Sequence, residues 1–293
     1  MSTNSQKIAY NKESAEKYGW TPQDFGCTEH NEELLFAIIQ FQRDNGLVAD
    51  GLAGSSTHRR LITNRESEEE HTEPNGALRE YIVCNGQKQP IHWGRVRVWN
   101  EDGGLKAVNY RKHSGNRDVK MFVTHWDATL NSKACAKILA QRKLSVHFLI
   151  DNDGTIYQMA DTNDVCFHAG NHNGVSIGVE ITNAYYLKWQ DWYVRKGFGE
   201  RPVVKGVKCH NSTLEDHLGF YDVQLEALTA LYRAVSDAHN IPLIAPNVRD
   251  TVDPDVQSKA FRGFCSHYHI TDRKIDCAGL DIEAICKKAI TLS

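Results

Sequence analysis

The chain has 293 residues, 41% of them hydrophobic, which suits about two domains with ordinary cores. Its 34 basic and 37 acidic residues leave a net charge of −3, without the clustered basic face that nucleic-acid binding needs, and no apolar run approaches the roughly 20 residues of a membrane span. Eight cysteines, Cys27, Cys84, Cys135, Cys166, Cys209, Cys265, Cys277 and Cys286, form no C-x-x-C pair and no compact disulfide framework, so reduced thiols are expected.

The polar opening from Met1 to Lys7 lacks the apolar region of a secretory signal, so synthesis is expected to end in the cytoplasm. Leu34, Leu35, Ile38, Ile39 and Phe41 then recur at helical spacing, and a small all-α module is expected over 1–64. Within it Phe41-Gln42, Gly46-Leu47, Asp50-Gly51, Gly54 and Thr57 follow one another at spacings that resemble the peptidoglycan-binding module of many cell-wall hydrolases, over about residues 18 to 63. The wall binding this implies belongs to the whole pattern. Singly, Phe41 and Leu47 read as core and the glycines as turn formers. From Arg65 to Gly76 the composition turns charged and loses its periodicity, which reads as a linker over 65–77 and a second domain over 78–293.

In that second domain Tyr81 to Val83 and Arg95 to Trp99 read as short strands, expected as an added hairpin. A buried strand follows over Val119 to Thr124, then a helix from the N-cap Ser132 and a strand over Val146 to Ile150. The turn Asp151-Asn152-Asp153-Gly154 leads into a strand over Thr155 to Met159. Ile177 to Ile181 is a further apolar strand, and Leu225, Leu228, Tyr232 and Val235 share one face of a helix from about Asp222 to His239. A hairpin interrupting the helix crossings predicts an α/β fold with a mixed central sheet flanked by helices, rather than a doubly wound parallel one. Between these elements lies an insertion from about Tyr185 to Gly219, rich in aromatics (Trp189, Trp192, Tyr193, Phe198), which reads either as part of a groove or as a covering flap.

Near the end, Ser266 to Gly279 sets the metal-competent His267 and Asp276 around the cation Lys274. With His125, which follows the apolar run, they supply two histidines and a carboxylate, and three protein ligands leave one zinc vertex open, as in catalytic sites. His269 competes with His267, and Cys277 with Asp276, since thiolate is also a good zinc ligand. Glu180 interrupts an apolar strand, and a buried carboxylate needs a partner or a task.

Five segments carry a second resemblance, over roughly Val119 to Lys288. They are Phe122 to His125, Ser145 to Gln158, Phe167 to Gly170, Asn173 to Ile181 and His267 to Gly279, and they fall in the order found in the zinc-dependent N-acetylmuramoyl-L-alanine amidases of the type-2 family. The resemblance implies Zn2+ on His125, His267 and Asp276, with Glu180 shuttling a proton and Lys274 stabilising the oxyanion. It also implies His147 and His168 lining the groove and Asn173 ordering the adjoining loop. Several relatives have a tyrosine where this chain has Val146, which places more weight on Glu180. The implied partner is peptidoglycan, with no nucleic acid, no membrane insertion and a monomeric chain. A phage endolysin fits the combination of modules, and the alternatives are a non-catalytic peptidoglycan receptor and a bacterial remodelling or effector amidase.

Overall fold

The computed structural model describes residues 3–68 and 75–292. The chain divides into two compact units, Met1–Glu70 with Lys137–Arg142, and His71–Ala136 with Lys143–Ser293. Part of the expected linker, residues 69–74, lies outside the described residues, and its first two, Arg65 and Glu66, close a helix.

The first unit holds α1 (Asn4–Tyr18), α2 (Glu32–Asp44) and α3 (Ser55–Glu66) around Trp20, Leu34, Ile38 and Leu61. The Asn31 side chain caps α2 by accepting from the Leu34 amide. The reason for the Phe-Gln and Asp-Gly pairs is visible in Gln42. Its Nε2 donates to Asp50 Oδ1, Leu52 O and Thr57 Oγ1 at 3.0, 3.0 and 3.1 Å, and its Oε1 accepts from Gly51 N at 2.8 Å. Gly51 has φ +75°, a left-handed backbone that favours glycine, and a Cβ there would stand 2.5 Å from Leu35 Cδ1, which would have to shift. Phe41 is half-buried against this core and Leu47 is half-buried as well.

The second unit opens with an antiparallel hairpin of β1 (Tyr81–Cys84) and β2 (Gln87–Pro90), then β3 (Val96–Val98) and β4 (Tyr110–Arg111). Next come β5 (Met121–Trp126), α4 (Ser132–Gln141), whose residues from Lys137 on are grouped with the first unit, β6 (Phe148–Ile150), β7 (Ile156–Gln158), β8 (Val165–Cys166) and β9 (Ser176–Ile181). The insertion carries α5 (Gln190–Arg195) and the short strands β10 (Val203–Val204), β11 (Lys208–Cys209), β12 (Ser212–Thr213) and β13 (His217–Leu218). α6 (Asp222–His239), α7 (Pro254–Gln257), β14 (Gly263–Ser266) and α8 (Ile282–Ile290) complete the unit.

Six strands make the central sheet in the order β14-β5-β9-β6-β7-β3. The first four are mutually parallel, β7 turns back antiparallel to β6, and β3 lies parallel to β7. This is the mixed sheet expected. The expected early hairpin is different in detail: Tyr81 to Cys84 pairs with Gln87 to Pro90, and Val96 to Val98 leaves it for the edge of the sheet. Burial explains the separation, because all three residues of β3 are buried whereas β2 is largely exposed.

One face of the sheet, with Phe122, Phe148, Ile177, Val179 and Phe264, packs on Leu228, Leu231, Tyr232 and Val235 of α6 and on Ile285 of α8. Fully burying each such side chain stabilises by about 1.5–3 kcal/mol. The other face carries Met121, Val123 and Cys265 against Val256 and Ile270. Among the described residues no helix is long and apolar enough to cross a membrane.

Candidate active site

β5 runs one turn of the pleat further than the apolar pattern indicated, so His125 lies within the strand and is held by its ladder. Side chains alternate across a strand, and Thr124 points to the α6 face, where its Oγ1 meets Tyr232 Oη at 2.6 Å. His125 therefore leaves the opposite face. Glu180 of β9 is its register partner, so the two side chains stand side by side on strands about 4.8 Å apart.

The other components come from the end of β14 and the loop beyond it. His267 opens a short 3-10 turn at the strand end, and Tyr268 N donates to Asp276 O at 3.1 Å, folding the loop back on itself. Asp276 Oδ2 thereby reaches His125 Nδ1 at 2.9 Å and His267 Nδ1 at 3.2 Å, with the two imidazoles perpendicular and 4.6 Å between centroids. One ligand atom from each of the three lies within 4.8 Å of the others. Tetrahedral zinc with bonds of about 2.0–2.2 Å needs ligand atoms about 3.3–3.6 Å apart, within the range spanned by this cluster.

Protonation states also suit a cation. Burial pushes His125 down to about 4, against the upward pull of the Asp276 hydrogen bond, and Lys274 adds to the depression. Burial alone would raise Asp276, but hydrogen bonds from His125 and His267 hold its carboxyl well below the usual range. A neutral imidazole and an ionised carboxylate are the forms that ligate metal.

The two competing ligands stand elsewhere. Cys277 is fully buried outside the cluster, and burial first, then Asp276, pushes its thiol well above the ordinary value, away from thiolate. His269 Nδ1 accepts from Ser266 N at 3.0 Å and its Nε2 donates to Val248 O at 3.0 Å, so its ring is spent on the backbone. Lys274 is half-buried, two residues before Asp276, and its charge is felt by His125.

His168 is half-buried, with Nδ1 3.1 Å from His125 Nε2 and Nε2 3.3 Å from Ser176 Oγ. It stands behind the candidate ligand and fixes that ring, as an outer-shell partner does. Asn173 orders the loop beside it, its Oδ1 accepting from His168 N and Ala169 N at 3.0 and 2.7 Å. His147 has no exposed surface. Its Nδ1 accepts from Gly178 N at 3.1 Å and its Nε2 donates to Asp164 O at 3.0 Å, so it braces the sheet beneath the site instead of lining a groove.

Three further residues shape the site without having stood out in the sequence. Gly178 lies against the His168 ring, and a Cβ there would meet Nδ1 at 2.5 Å. A glycine inside an apolar strand is the signal that could have found it. Arg117 is buried and donates to Asn173 O, Ser176 O and Thr162 O at 3.0, 2.9 and 2.7 Å, tying together the segments around His168. Burial lowers its guanidinium to about 10. Arg201, in the insertion, lies between the rings of Tyr193 and Tyr221 at 4.2 and 4.3 Å and donates to Gly219 O and Thr182 O at 2.8 and 3.0 Å. No spacing distinguished either arginine from the other basic residues. Through Arg201 the insertion is latched to the end of β9.

Comparison with solved structures shows similarity, at low superposition scores, to the endolysin N-acetylmuramoyl-L-alanine amidase LysCS of Clostridium intestinale, with 18% identity and a TM-score of 0.40, covering 67% of this chain and 96% of that one. Similarity extends to the Ph2119 endolysin of a Thermus scotoductus bacteriophage, with 14% identity, a TM-score of 0.36 and coverage of 67% and 99%. AmpDh3 of Pseudomonas aeruginosa, solved with an anhydromuramic pentapeptide, shows 20% identity, a TM-score of 0.39 and coverage of 63% and 65%. Comparison with curated proteins returned no match. A family model described as N-acetylmuramoyl-L-alanine amidase matches residues 115–277, more than half of the chain and the whole stretch from Arg117 to Cys277 that builds the cluster above. The chain belongs to the N-acetylmuramoyl-L-alanine amidase family.

Proposed function

We propose that the chain is a zinc-dependent peptidoglycan hydrolase that cuts the amide between N-acetylmuramic acid and the L-alanine of the stem peptide, in the manner of a phage endolysin. The observation that carries this reading is the convergence of His125, His267 and Asp276 with Glu180 in register beside His125. Zinc held by those three residues supplies Lewis-acid polarisation of the scissile carbonyl and a water whose pKa is lowered towards ~7. Glu180 takes the proton of the attacking water and returns it to the departing amine. The Lys274 ammonium faces the negative charge that develops on the carbonyl oxygen. The first unit, through its Gln42-centred pattern, holds the enzyme on the insoluble wall and so raises its local concentration without any new catalytic contact.

Protein stripped with a chelator and incubated with peptidoglycan should release no new N-terminal alanine, and added zinc should restore release. Failure of zinc to restore it would exclude the proposed chemistry. Glu180→Gln should lower turnover by ~10²- to 10⁴-fold while binding to the wall and to zinc persists. A receptor that binds stem peptides without cutting would show no turnover in the unaltered protein either.

A further inference from the structure

The insertion between β9 and α6 places one side chain directly on the Lys274 loop. β11 and β12 pair as a hairpin, Lys208 with Thr213 and Cys209 with Ser212, and His210 stands at its turn with φ +55°, a left-handed conformation uncommon outside glycine. Strained backbone of this kind persists where surrounding contacts over-determine it. Here the contacts are three. His210 N donates to Asp250 O at 2.6 Å, Nε2 reaches Lys274 O at 2.7 Å, and Nδ1 lies 3.1 Å from Thr251 Oγ1. A carbonyl can only accept, so Nε2 carries the proton and the bare Nδ1 accepts from the threonine hydroxyl.

Lys274 has little else to orient its peptide group. It lies in a segment without helix or strand, and its own amide makes only a long bond, 3.4 Å, to Thr271 O. The next firm ties are Ala278 N to Ile275 O at 2.7 Å and Tyr268 N to Asp276 O at 3.1 Å, both beyond the Lys274 carbonyl. We infer that His210 is a positioning residue for Lys274: by holding its carbonyl, the insertion sets where the ammonium stands relative to the metal cluster. This rests on the proposed amidase activity. The insertion is then a working part of the site, reached through a loop it does not belong to.

The test uses the full chain. His210→Asn keeps a residue that tolerates the left-handed turn but is too short to reach Lys274 O, whereas His210→Gln carries an N–H donor further out. H210N should lower kcat about 10-fold, part of the ~10²- to 10³-fold expected for Lys274→Ala, with KM and zinc affinity within about 2-fold. H210Q should recover most of the loss. H210N combined with K274A should be no slower than K274A alone, since both act through one group. Amide hydrogen exchange over residues 271–276 should quicken in H210N. A kcat for H210N equal to the parent, a loss that adds in full to that of K274A, or unchanged exchange in the loop would each overturn the inference while leaving the amidase reading intact. A parent protein that releases no alanine takes both down.

Discussion

His125 and Glu180 stand on adjacent parallel strands whose backbone ladder fixes both, whereas Lys274 and Asp276 stand on a loop tied by a few separate hydrogen bonds. The strand half is in place because β5 and β9 are buried in the middle of a six-stranded sheet. The loop half depends on where Tyr268, His210 and His269 direct it. Changes in the strand half should therefore act through packing at fixed geometry. Changes in the loop half should act by letting the geometry go.

The loop half fails most completely when it loses the one atom that meets both histidines, Asp276 Oδ2. Asp276→Ala should lower zinc affinity by ~10³-fold or more, since a binding free energy of ~10–16 kcal/mol shared among the protein ligands leaves ~4 kcal/mol for each. Cys277→Ala should leave zinc affinity unchanged and cost only ~1 kcal/mol of stability. Equilibrium zinc titration of the two variants decides the third ligand. Loss of zinc from C277A with retention in D276A would show that the loop turns the other side chain inward.

The same division explains what the sequence made legible. The strands beneath the site, the helix over Asp222 to His239 and the order of the sheet's hairpin follow from continuous apolar runs, one period-3.6 stripe and a turn-forming tetrapeptide, all local signals. Register puts Glu180 beside His125, and no local pattern carries register. The resemblance to the amidases assigned both residues to one site without giving their register. The distant contacts were invisible for the same reason: Arg117 to Asn173 spans 56 positions and His210 to Lys274 spans 64. His147 shows the converse error, in which a histidine within a motif was read as lining the groove although both of its ring nitrogens serve the backbone.

Acid should loosen the loop half through His269. Burial holds His269 at about 4, below its ordinary 6.5, despite its hydrogen bonds to Ser266 and Val248. Because the folded value is the lower one, the stability that the neutral ring contributes is complete above about 6.5 and is lost as the pH falls towards 4. Denaturant unfolding at pH 7 and pH 4.5 should show the parent losing up to about 3 kcal/mol more than His269→Gln over that window. Equal losses in the two proteins would mean that the ring near Ser266 does not link the loop to pH.

In the strand half the decisive quantity is space rather than a hydrogen bond. An alanine methyl at position 178 would lie 2.5, 2.6 and 2.8 Å from Nδ1, Cε1 and Cγ of His168, closer than carbon approaches any ring. Gly178 cannot retreat, because its amide donates to His147 Nδ1 inside a strand paired on both sides. The His168 ring must yield instead, and its contact with His125 Nε2 goes with it. Gly178→Ala should then weaken zinc by ~10- to 100-fold, the usual consequence of losing an outer-shell partner, without unfolding the sheet. His168→Ala should weaken zinc to the same degree. Combining it with G178A should add nothing, since with the ring gone the methyl has nothing to strike. An additive double variant would place the harm of G178A in the backbone of β9, and the strand half would then prove as dependent on local geometry as the loop.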